Sequence, residues 1–201
     1  MKQTIYLVRH GEKIKHIGDP HLSDKGVLQA KVTGQYFKSL PIQKIIASPI
    51  SRSRQTAQYI ADALGLEVLT HDLLKERVNW GDDPHQTFEN FLAMWDRASS
   101  ERNWMPPIGD SSRAAGERLN TLITANIDPV DHIILVTHGG IITDFLRNIF
   151  DEQVLNAKIN GFNKTRDENI LECSITSIGY DPEDSTYELI ELASTKHLQE
   201  I

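Results

Sequence analysis

Two segments of this chain share one pattern, and that repeat constrains the fold more than any other feature of the sequence. Residues 5–11 read IYLVRHG and residues 133–139 read IILVTHG, so each has four apolar residues, one variable residue, a histidine and a glycine. Short apolar runs rich in β-forming side chains are typical of strands that are buried on both faces. We therefore predict two interior strands, with His10 and His138 just beyond their carboxyl ends.

The rest of the chain alternates between strand-like and helix-like segments. Further strands are predicted at 42–47, 67–69, 170–179 and 187–192, and helices at about 27–40, 48–64, 112–127 and 141–150. Strands that alternate with helices indicate an α/β fold, here a three-layer sandwich with a mostly parallel central sheet and helices on both faces. In such sheets ligands bind beyond the carboxyl ends of the strands, where both histidines are expected.

Residues 71–110 have a different character from the alternating segments. They contain all three tryptophans of the chain, and their apolar residues between 88 and 95 recur at helical spacing. We interpret 71–110 as a mainly helical, cap-like insertion that lies over the carboxyl ends of the strands. The whole chain, 1–201, is then expected to form a single domain, a size at which the apolar core needs no disulfide.

Composition argues against several classes of partner. The chain carries 28 acidic residues against 21 lysines and arginines, a formal net charge of -7, which disfavours a general nucleic-acid or membrane surface. An anionic substrate would therefore need a local basic pocket. Cys173 is the single cysteine, so no internal disulfide can form. No apolar run has the length of a membrane span or of a signal peptide, and we expect a cytoplasmic protein.

The residues at the two strand ends suit phosphate chemistry. A neutral imidazole is nucleophilic near pH 7, and a hydrogen bond to its other nitrogen fixes the tautomer. Arg9 precedes His10, and guanidinium groups bind phosphate oxygens in a planar, often bidentate way. A third segment, residues 48–57 or SPISRSRQTA, places Arg52 and Arg54 at the start of a helix, where anions are also favoured. Spacing alone does not choose between these two arginines.

Four motifs in this order resemble those of the histidine phosphatase superfamily, also called the phosphoglycerate mutase-like family. They are Arg9-His10-Gly11, Leu22-Ser23-x-x-Gly26-x-x-Gln29-Ala30, Ser48-Pro49-x-x-Arg52-x-x-Gln55-Thr56-Ala57 and Thr137-His138-Gly139-Gly140. Together they are far more specific than Arg-His-Gly alone.

The resemblance implies a role for each matched residue. His10 matches the nucleophile that becomes phosphohistidine, and His138 matches the second histidine, which binds the phosphoryl group. Arg9 and Arg52 match the phosphate-binding arginines, so the family pattern favours Arg52 in the third segment. Glu76, in the sequence LLKER, matches the general acid more loosely, and another acid of the insertion is the alternative.

Three further residues are candidates for substrate contact: Gly139 after the second histidine, His16 in the loop 12–21, and Trp80 of the insertion. Around His16 and Trp80 the sequence departs from the family pattern, because it lacks a small hydroxyl residue with an asparagine in the loop and a Glu-Gly pair in the insertion. Both departures lie where substrate contacts are expected, so they bear on substrate identity. For the loop, a solvated turn and a mobile substrate-contacting segment both fit.

These features predict a phosphomonoester hydrolase that needs no metal and no cofactor and acts on a small phosphorylated substrate. His10 attacks phosphorus while Glu76 protonates the leaving alcohol, and water then cleaves the phosphohistidine. The sequence lacks the motifs of nucleotide-binding loops, aspartyl-phosphate enzymes and two-metal hydrolases. Three alternatives stay open: a mutase, since the family contains typically longer mutases as well as phosphatases; a non-catalytic phosphate-binding protein; and a metal-dependent hydrolase.

Overall fold

The computed structural model describes residues 3–126, 132–162 and 169–199 of the chain. The strands are β1 (Gln3–Arg9), β2 (Lys44–Ala47), β3 (Val68–Thr70), β4 (His132–Thr137), β5 (Ile175–Asp181) and β6 (Thr186–Ser194). The helices are α1 (Asp24–Phe37), α2 (Ser51–Leu64), α3 (Phe88–Ser100), α4 (Ser112–Asn126), α5 (Gly139–Ile149) and α6 (Glu152–Lys158), and short 3-10 helices cover Asp72–Leu74 and Lys196–Leu198. None of the helices in these ranges is both long and apolar enough to cross a membrane.

The strands form one sheet in the order β3-β2-β4-β1-β5-β6. The first four strands of the chain run parallel to one another, whereas β5 is antiparallel to β1 and β6 is antiparallel to β5. The predicted α/β architecture with a mostly parallel sheet is therefore confirmed. The predicted end of the helix at 112–127, Ile127, lies outside the described residues.

Side chains of β1 alternate between the two faces of the sheet, and helices cover both faces. On one face Ile5 and Leu7 pack with buried residues of α4, α5 and α6. On the other face Tyr6 and Val8 pack with buried residues of α1 and α2. Because helices exclude water from both faces of the sheet, each residue of the run 5–8 is apolar, and the hydrophobic effect favours burial of its side chain.

The two strands that carry the His-Gly pattern are neighbours in the sheet. Arg9 lies opposite Thr137 in the parallel register of β1 and β4, and the backbone N–H of His10 donates to Thr137 O at 2.9 Å. The ring centroids of His10 and His138 are consequently only 5.2 Å apart. The repeated pattern thus delivers two imidazoles to one place at the carboxyl edge of the sheet.

Among the strands and α-helices, β5 and α6 differ most from the sequence-based prediction. β5 begins at Ile175 rather than at 170, because the residues before it form a loop that hydrogen-bonds to the end of β1. In that loop Cys173 has a φ of 53° and its N–H donates to Arg9 O at 3.1 Å. Helix α6 was not predicted; it has 7 residues and buries only Leu155, so it leaves little periodic signal in the sequence.

The segment 71–110 lies at the carboxyl ends of the strands, as predicted. Its helical part is α3 with the 3-10 turn, and loops make up the remainder. Arg77 anchors the segment, since its Nη1 pairs with Asp144 of α5 at 3.0 Å and its guanidinium lies 3.7 Å from the centroid of the Trp95 ring. That this segment is an insertion within a single domain stays a prediction.

Candidate active site

A cavity of about 860 Å³ opens at the carboxyl ends of β1 and β4. It is lined by the end of β1, the loop 12–21, α2, the segment 71–110, the start of α5 and the loop before β5. The lining residues are Arg9, His10, Glu12, Lys13, Ile14, Lys15, His16, Gly18, Ser23, Arg52, Glu76, Val78, Asn79, Trp80, Phe88, Phe91, Leu92, Trp95, Gly139 and Glu172. Every predicted site residue is among them except His138, which is fully buried beside His10.

The His10 ring is held in one orientation by contacts at both nitrogens. Nδ1 lies 2.8 Å from the carbonyl oxygen of Gly11, an acceptor that requires the proton on Nδ1. Arg52 Nε donates to Nε2 at 2.9 Å, so Nε2 carries the lone pair. Burial, followed by the positive charges of Arg52 and Arg9, lowers the pKa of His10 well below its ordinary value. The ring is therefore neutral at pH 7, with Nε2 as its nucleophilic atom.

Arg52 is the arginine of α2 that reaches the nucleophile. Its side chain is only 5% exposed, and Nη2 donates to Asn79 Oδ1 at 2.7 Å. Burial lowers the pKa of Arg52, and the charges of Glu76 and Asp19 oppose that shift. Arg54 is exposed and does not line the cavity. Of the two arginines between which spacing did not choose, Arg52 is the one that lies at the cavity and contacts His10.

Arg9 lines the cavity, and the loop before β5 holds its guanidinium group in place. Its Nη1 donates to Ile170 O at 2.6 Å, and its Nη2 pairs with Glu172 Oε1 at 2.9 Å. A Cβ added at Gly139 would lie 3.4 Å from Arg9 Nε, so the guanidinium packs closely on the start of α5. The loop therefore fixes Arg9 between the ends of β1 and β4.

His138 is completely buried and meets His10 edge to face, at an interplanar angle of 64°. Its Nε2 lies 2.9 Å from Ser48 Oγ and 3.4 Å from Ser53 Oγ. Burial, then the charges of Arg52 and His10, lower the pKa of His138 well below its ordinary value. This imidazole is therefore neutral as well, and two hydroxyl groups at the start of α2 set its position.

Glu76 is fixed at the cavity by two backbone donors. Its Oε1 accepts from Arg77 N at 2.9 Å, and its Oε2 accepts from Gly140 N at 3.0 Å. Gly140 lies in the first turn of α5, and a Cβ there would stand 2.6 Å from Glu76 Oε1. The second glycine of the His-Gly-Gly motif thus makes room for a carboxylate in the same cavity as His10.

The amino terminus of α2 differs from expectation. The sequence predicted an anion site there, but the carboxylate of Asp19 accepts from Ser51 N at 2.9 Å and from Ser51 Oγ at 2.7 Å. Because a side-chain carboxylate already satisfies these donors, the helix contributes to the cavity through the Arg52 side chain instead.

The loop 12–21 folds back on itself and on the segment 71–110. Ile14 N donates to His21 O at 3.0 Å, and Gly18 N donates to Trp80 O at 2.9 Å. These bonds place His16, which is exposed, at the rim of the cavity. Trp80 lines the cavity too, and its ring centroid lies 4.8 Å from that of Phe88.

The sequence-based set omits several polar residues of the site, among them Lys13, Ser48, Asn79 and Glu172. Burial, then the charges of Arg52 and Arg9, lower the pKa of Lys13, so its ammonium group belongs to the same cationic cluster. The only sign of Lys13 in the sequence was the departure from the family pattern just after His10. Ser48 stands in the third family motif but was not singled out as a site residue. Asn79 and Glu172 contact Arg52 and Arg9, which are far away in the chain, so these two leave no local pattern.

The acidic stretch at 82–85 forms a turn. Asp82 Oδ2 accepts from Asn79 N at 2.7 Å, and Asp83 Oδ1 accepts from His85 N at 2.9 Å. Across the ranges that the structure describes, no three His, Cys, Asp or Glu side chains are grouped so that they could hold a metal ion.

Comparison with known proteins extends the resemblance to nearly the whole chain. The family model of the histidine phosphatase superfamily (branch 1) matches residues 5–192. The chain belongs to this superfamily. A relative, the probable phosphoglycerate mutase GpmB of Erwinia tasmaniensis, is 32% identical over 149 residues, which are 67% of this chain and 69% of that protein.

Solved structures of two phosphatases share the fold. Phosphoserine phosphatase of Entamoeba histolytica, in complex with 3-phosphoglyceric acid, has a TM-score of 0.68 and 25% identity, over 98% of this chain and 99% of that one. A mycobacterial glucosyl-3-phosphoglycerate phosphatase has a TM-score of 0.71 over 97% of this chain and 100% of that one. At its 20% identity that likeness shows the fold alone. The proteins that this chain resembles in sequence or fold thus include phosphatases and a probable mutase.

Proposed function

We propose that the protein is a phosphomonoesterase that works through a phosphohistidine on His10. The observation that carries this proposal is the pair of contacts on the His10 ring. Gly11 O fixes the proton on Nδ1, and Arg52 meets the Nε2 lone pair at 2.9 Å in the cavity. A neutral, oriented nucleophile beside a guanidinium group is the arrangement that attack on phosphorus requires.

In the first step, the Nε2 lone pair of His10 attacks phosphorus in line with the ester oxygen. The N–P bond forms as the P–O bond to the alcohol breaks, and Glu76 gives its proton to the leaving oxygen. Phosphate oxygens draw the Arg52 guanidinium away from Nε2, which frees the lone pair for attack. Glu76 is left as the carboxylate.

In the second step, water attacks the phosphohistidine. The Glu76 carboxylate takes a proton from that water, the new P–O bond forms, and the N–P electron pair returns to Nε2 of His10. Inorganic phosphate leaves, and Glu76 is again the acid. Glu76 therefore serves as acid and base in turn, and no other proton carrier is needed.

Positive charge around the phosphoryl oxygens comes from the chain itself. Arg9, Arg52 and Lys13 all line the cavity, and the charges of the two arginines lower the pKa of His10 and that of Lys13. Charge that spreads over the equatorial oxygens in the transition state is stabilised by such preorganised groups. His138 packs on His10 and orients it, with Ser48 behind it. These groups supply the stabilisation that a metal provides elsewhere, so we propose a metal-independent reaction.

A phosphoglycerate mutase-type transfer is the second candidate, and the mutase relative favours it. A mutase must protect its phosphohistidine from water, whereas Lys15 and His16 at the rim of this cavity are exposed. Water that reaches the rim favours hydrolysis over transfer to a second hydroxyl group.

The test is hydrolysis of phenyl phosphate in excess chelator by the wild type, His10→Ala and, as a matched control, His85→Ala, an exposed histidine outside the cavity. We expect turnover by the wild type and the control, and a loss of about 10³-fold or more in His10→Ala. Equal turnover by all three proteins would contradict the proposal. Phosphoryl transfer to 3-phosphoglycerate that needs a bisphosphorylated primer, without phosphate release, would favour the mutase.

A further inference from the structure

We propose that the cavity selects phosphate monoesters whose alcohol carries an aromatic or extended apolar body. This inference rests on the proposed function and names the class of substrate for the same site. It comes from a feature that phosphate chemistry does not require, an apolar wall formed by Trp80, Phe88, Phe91, Leu92 and Trp95.

The apolar wall is a continuous run of ring contacts along one side of the cavity. Ring centroids lie 4.8 Å apart for Trp80 and Phe88, 6.3 Å for Phe88 and Phe91, and 5.9 Å for Phe91 and Trp95. The phenylalanine and leucine side chains carry no hydrogen-bonding group. A leaving alcohol rich in hydroxyl groups would lose its hydration beside these three side chains without gaining partners.

Part of the apolar wall is exposed to solvent. Phe88 is 50% exposed and Ile14, across the cavity rim, is 46% exposed, whereas Trp95 at the inner end is 8% exposed. A planar apolar group that enters the cavity would cover the exposed ring faces, and both surfaces would gain from leaving water. Exposed apolar surface inside a cleft is typical of a ligand-binding site.

The size of the cavity agrees with a large leaving group. At about 860 Å³ it lies in the range of pockets that hold drug-sized ligands, ~300–1,000 Å³. The polar residues of the proposed reaction, His10, Arg9, Arg52 and Glu76, are gathered at the carboxyl ends of the strands. A phosphorylated three-carbon acid would occupy that polar end and leave the apolar wall uncovered.

Trp95 and Phe88 play different parts in this wall. The Trp95 ring stacks on the guanidinium of Arg77 and is almost fully buried, so its replacement would disturb the fold. Phe88 is the first residue of α3 and is half exposed, so its side chain can be removed with little effect on packing. Phe88→Ala is therefore the informative variant, and Met105→Ala, 63% exposed in the same segment but outside the cavity, is the matched control.

The experiment measures binding separately from turnover. Isothermal titration calorimetry gives the affinities of 2-phenylethylphosphonate and of ethylphosphonate, which the enzyme cannot hydrolyse, for the wild type and both variants. We expect the wild type and Met105→Ala to bind the phenyl compound about tenfold more tightly than the ethyl compound. In Phe88→Ala this ratio falls by about threefold or more. Equal affinities in the wild type, or an unchanged ratio in Phe88→Ala, would overturn the inference.

Turnover of the two corresponding phosphate monoesters is measured in parallel. Their alcohols have similar acidity, so a difference in kcat/KM reports binding of the organic group rather than leaving-group reactivity. Selective binding without turnover of either ester would contradict the proposed function and leave the inference standing. Turnover of both esters without selective binding would contradict the inference and leave the proposed function standing.

Discussion

At the scale of single residues, the proposed reactivity of His10 depends on contacts with residues that are mostly far from it in the sequence. Gly11 O is adjacent in the chain, but Arg52 arrives from α2 and His138 from β4. Gly11 itself is needed because a Cβ there would stand 2.6 Å from Gly26 O, where the backbone of α1 passes. The short motif Arg-His-Gly therefore reflects contacts of the end of β1 with two segments far away in the chain, α2 and the residue after β4.

The lowered pKa of His10 gives a prediction for pH dependence. Protonation of Nε2 removes the nucleophile, and because the pKa lies below its ordinary value, the neutral ring persists as the pH falls through 6.5. In a proton nuclear magnetic resonance titration, we expect the His10 ring to show no transition near pH 6.5 and to titrate at lower pH. Inorganic phosphate should move that transition upwards, because an anion beside the ring favours the imidazolium. A transition at the value of free histidine, unaffected by phosphate, would contradict this.

At the scale of elements, the segment 71–110 is joined to helix α5 by a buried ion pair. Arg77 Nη1 pairs with Asp144 Oδ2 at 3.0 Å, with 2% exposure of each side chain. Burial raises the pKa of Asp144 to about 6, and Arg77 opposes that shift. Arg77 directly follows Glu76, so the same pair fixes the acid of the proposed reaction.

Replacement of Arg77 by methionine should destabilise the fold by an amount that grows with pH. Without the guanidinium the pKa of Asp144 rises above about 6 in the folded state, while it stays near 3.8 in the unfolded chain. The folded state then holds the extra proton at pH 5 but loses it by pH 8, so stability falls as the pH rises between them. We expect a loss of about 3 kcal/mol at pH 8 and a smaller loss at pH 5, measured by urea unfolding.

Arg97→Met is the matched control for this prediction. Arg97 also pairs with a carboxylate, Glu101, at 3.1 Å and lies 4.3 Å from the centroid of the Trp104 ring, but its side chain is 53% exposed. Exposed pairs contribute roughly 0–1 kcal/mol, so we expect a small loss at both pH values. Equal losses for the two variants, or a larger loss for Arg77→Met at pH 5 than at pH 8, would show that the buried pair does not act in this way.

Elements whose apolar residues form a clear pattern could be predicted from the sequence. Segments whose conformation depends on contacts at the candidate site could not. The run 5–8 is apolar on both faces of the sheet, so its burial was readable from local residues. The start of β5 was placed too early because residues 170–174 contain apolar side chains, yet their backbone holds Arg9 and the end of β1 in place of a sheet partner. Such contacts depend on the tertiary fold and leave no periodic pattern of apolar residues in the sequence.

At the scale of the whole molecule, a chain with a net negative charge places three cationic side chains around one cavity. The formal net charge is -7, yet Arg9, Arg52 and Lys13 line one cavity, where Glu12, Glu76 and Glu172 also lie. Family motifs supplied the first two of these residues. Lys13 and Asn79 lie outside the motifs, so their approach to Arg52 emerges only when the loop 12–21 and the segment 71–110 are folded over the sheet.

The most direct test of the central claim is to trap the phosphoryl group on the enzyme. Glu76→Gln is mixed with 4-nitrophenyl phosphate, whose good leaving group needs no acid, so the first step proceeds while the second lacks its base. The reaction is quenched in alkaline denaturant and the peptides are analysed by mass spectrometry. We predict one phosphoryl group on His10 and none in the double variant with His10→Ala. Phosphoryl transfer to another residue, or steady turnover with His10 never modified, would contradict the mechanism.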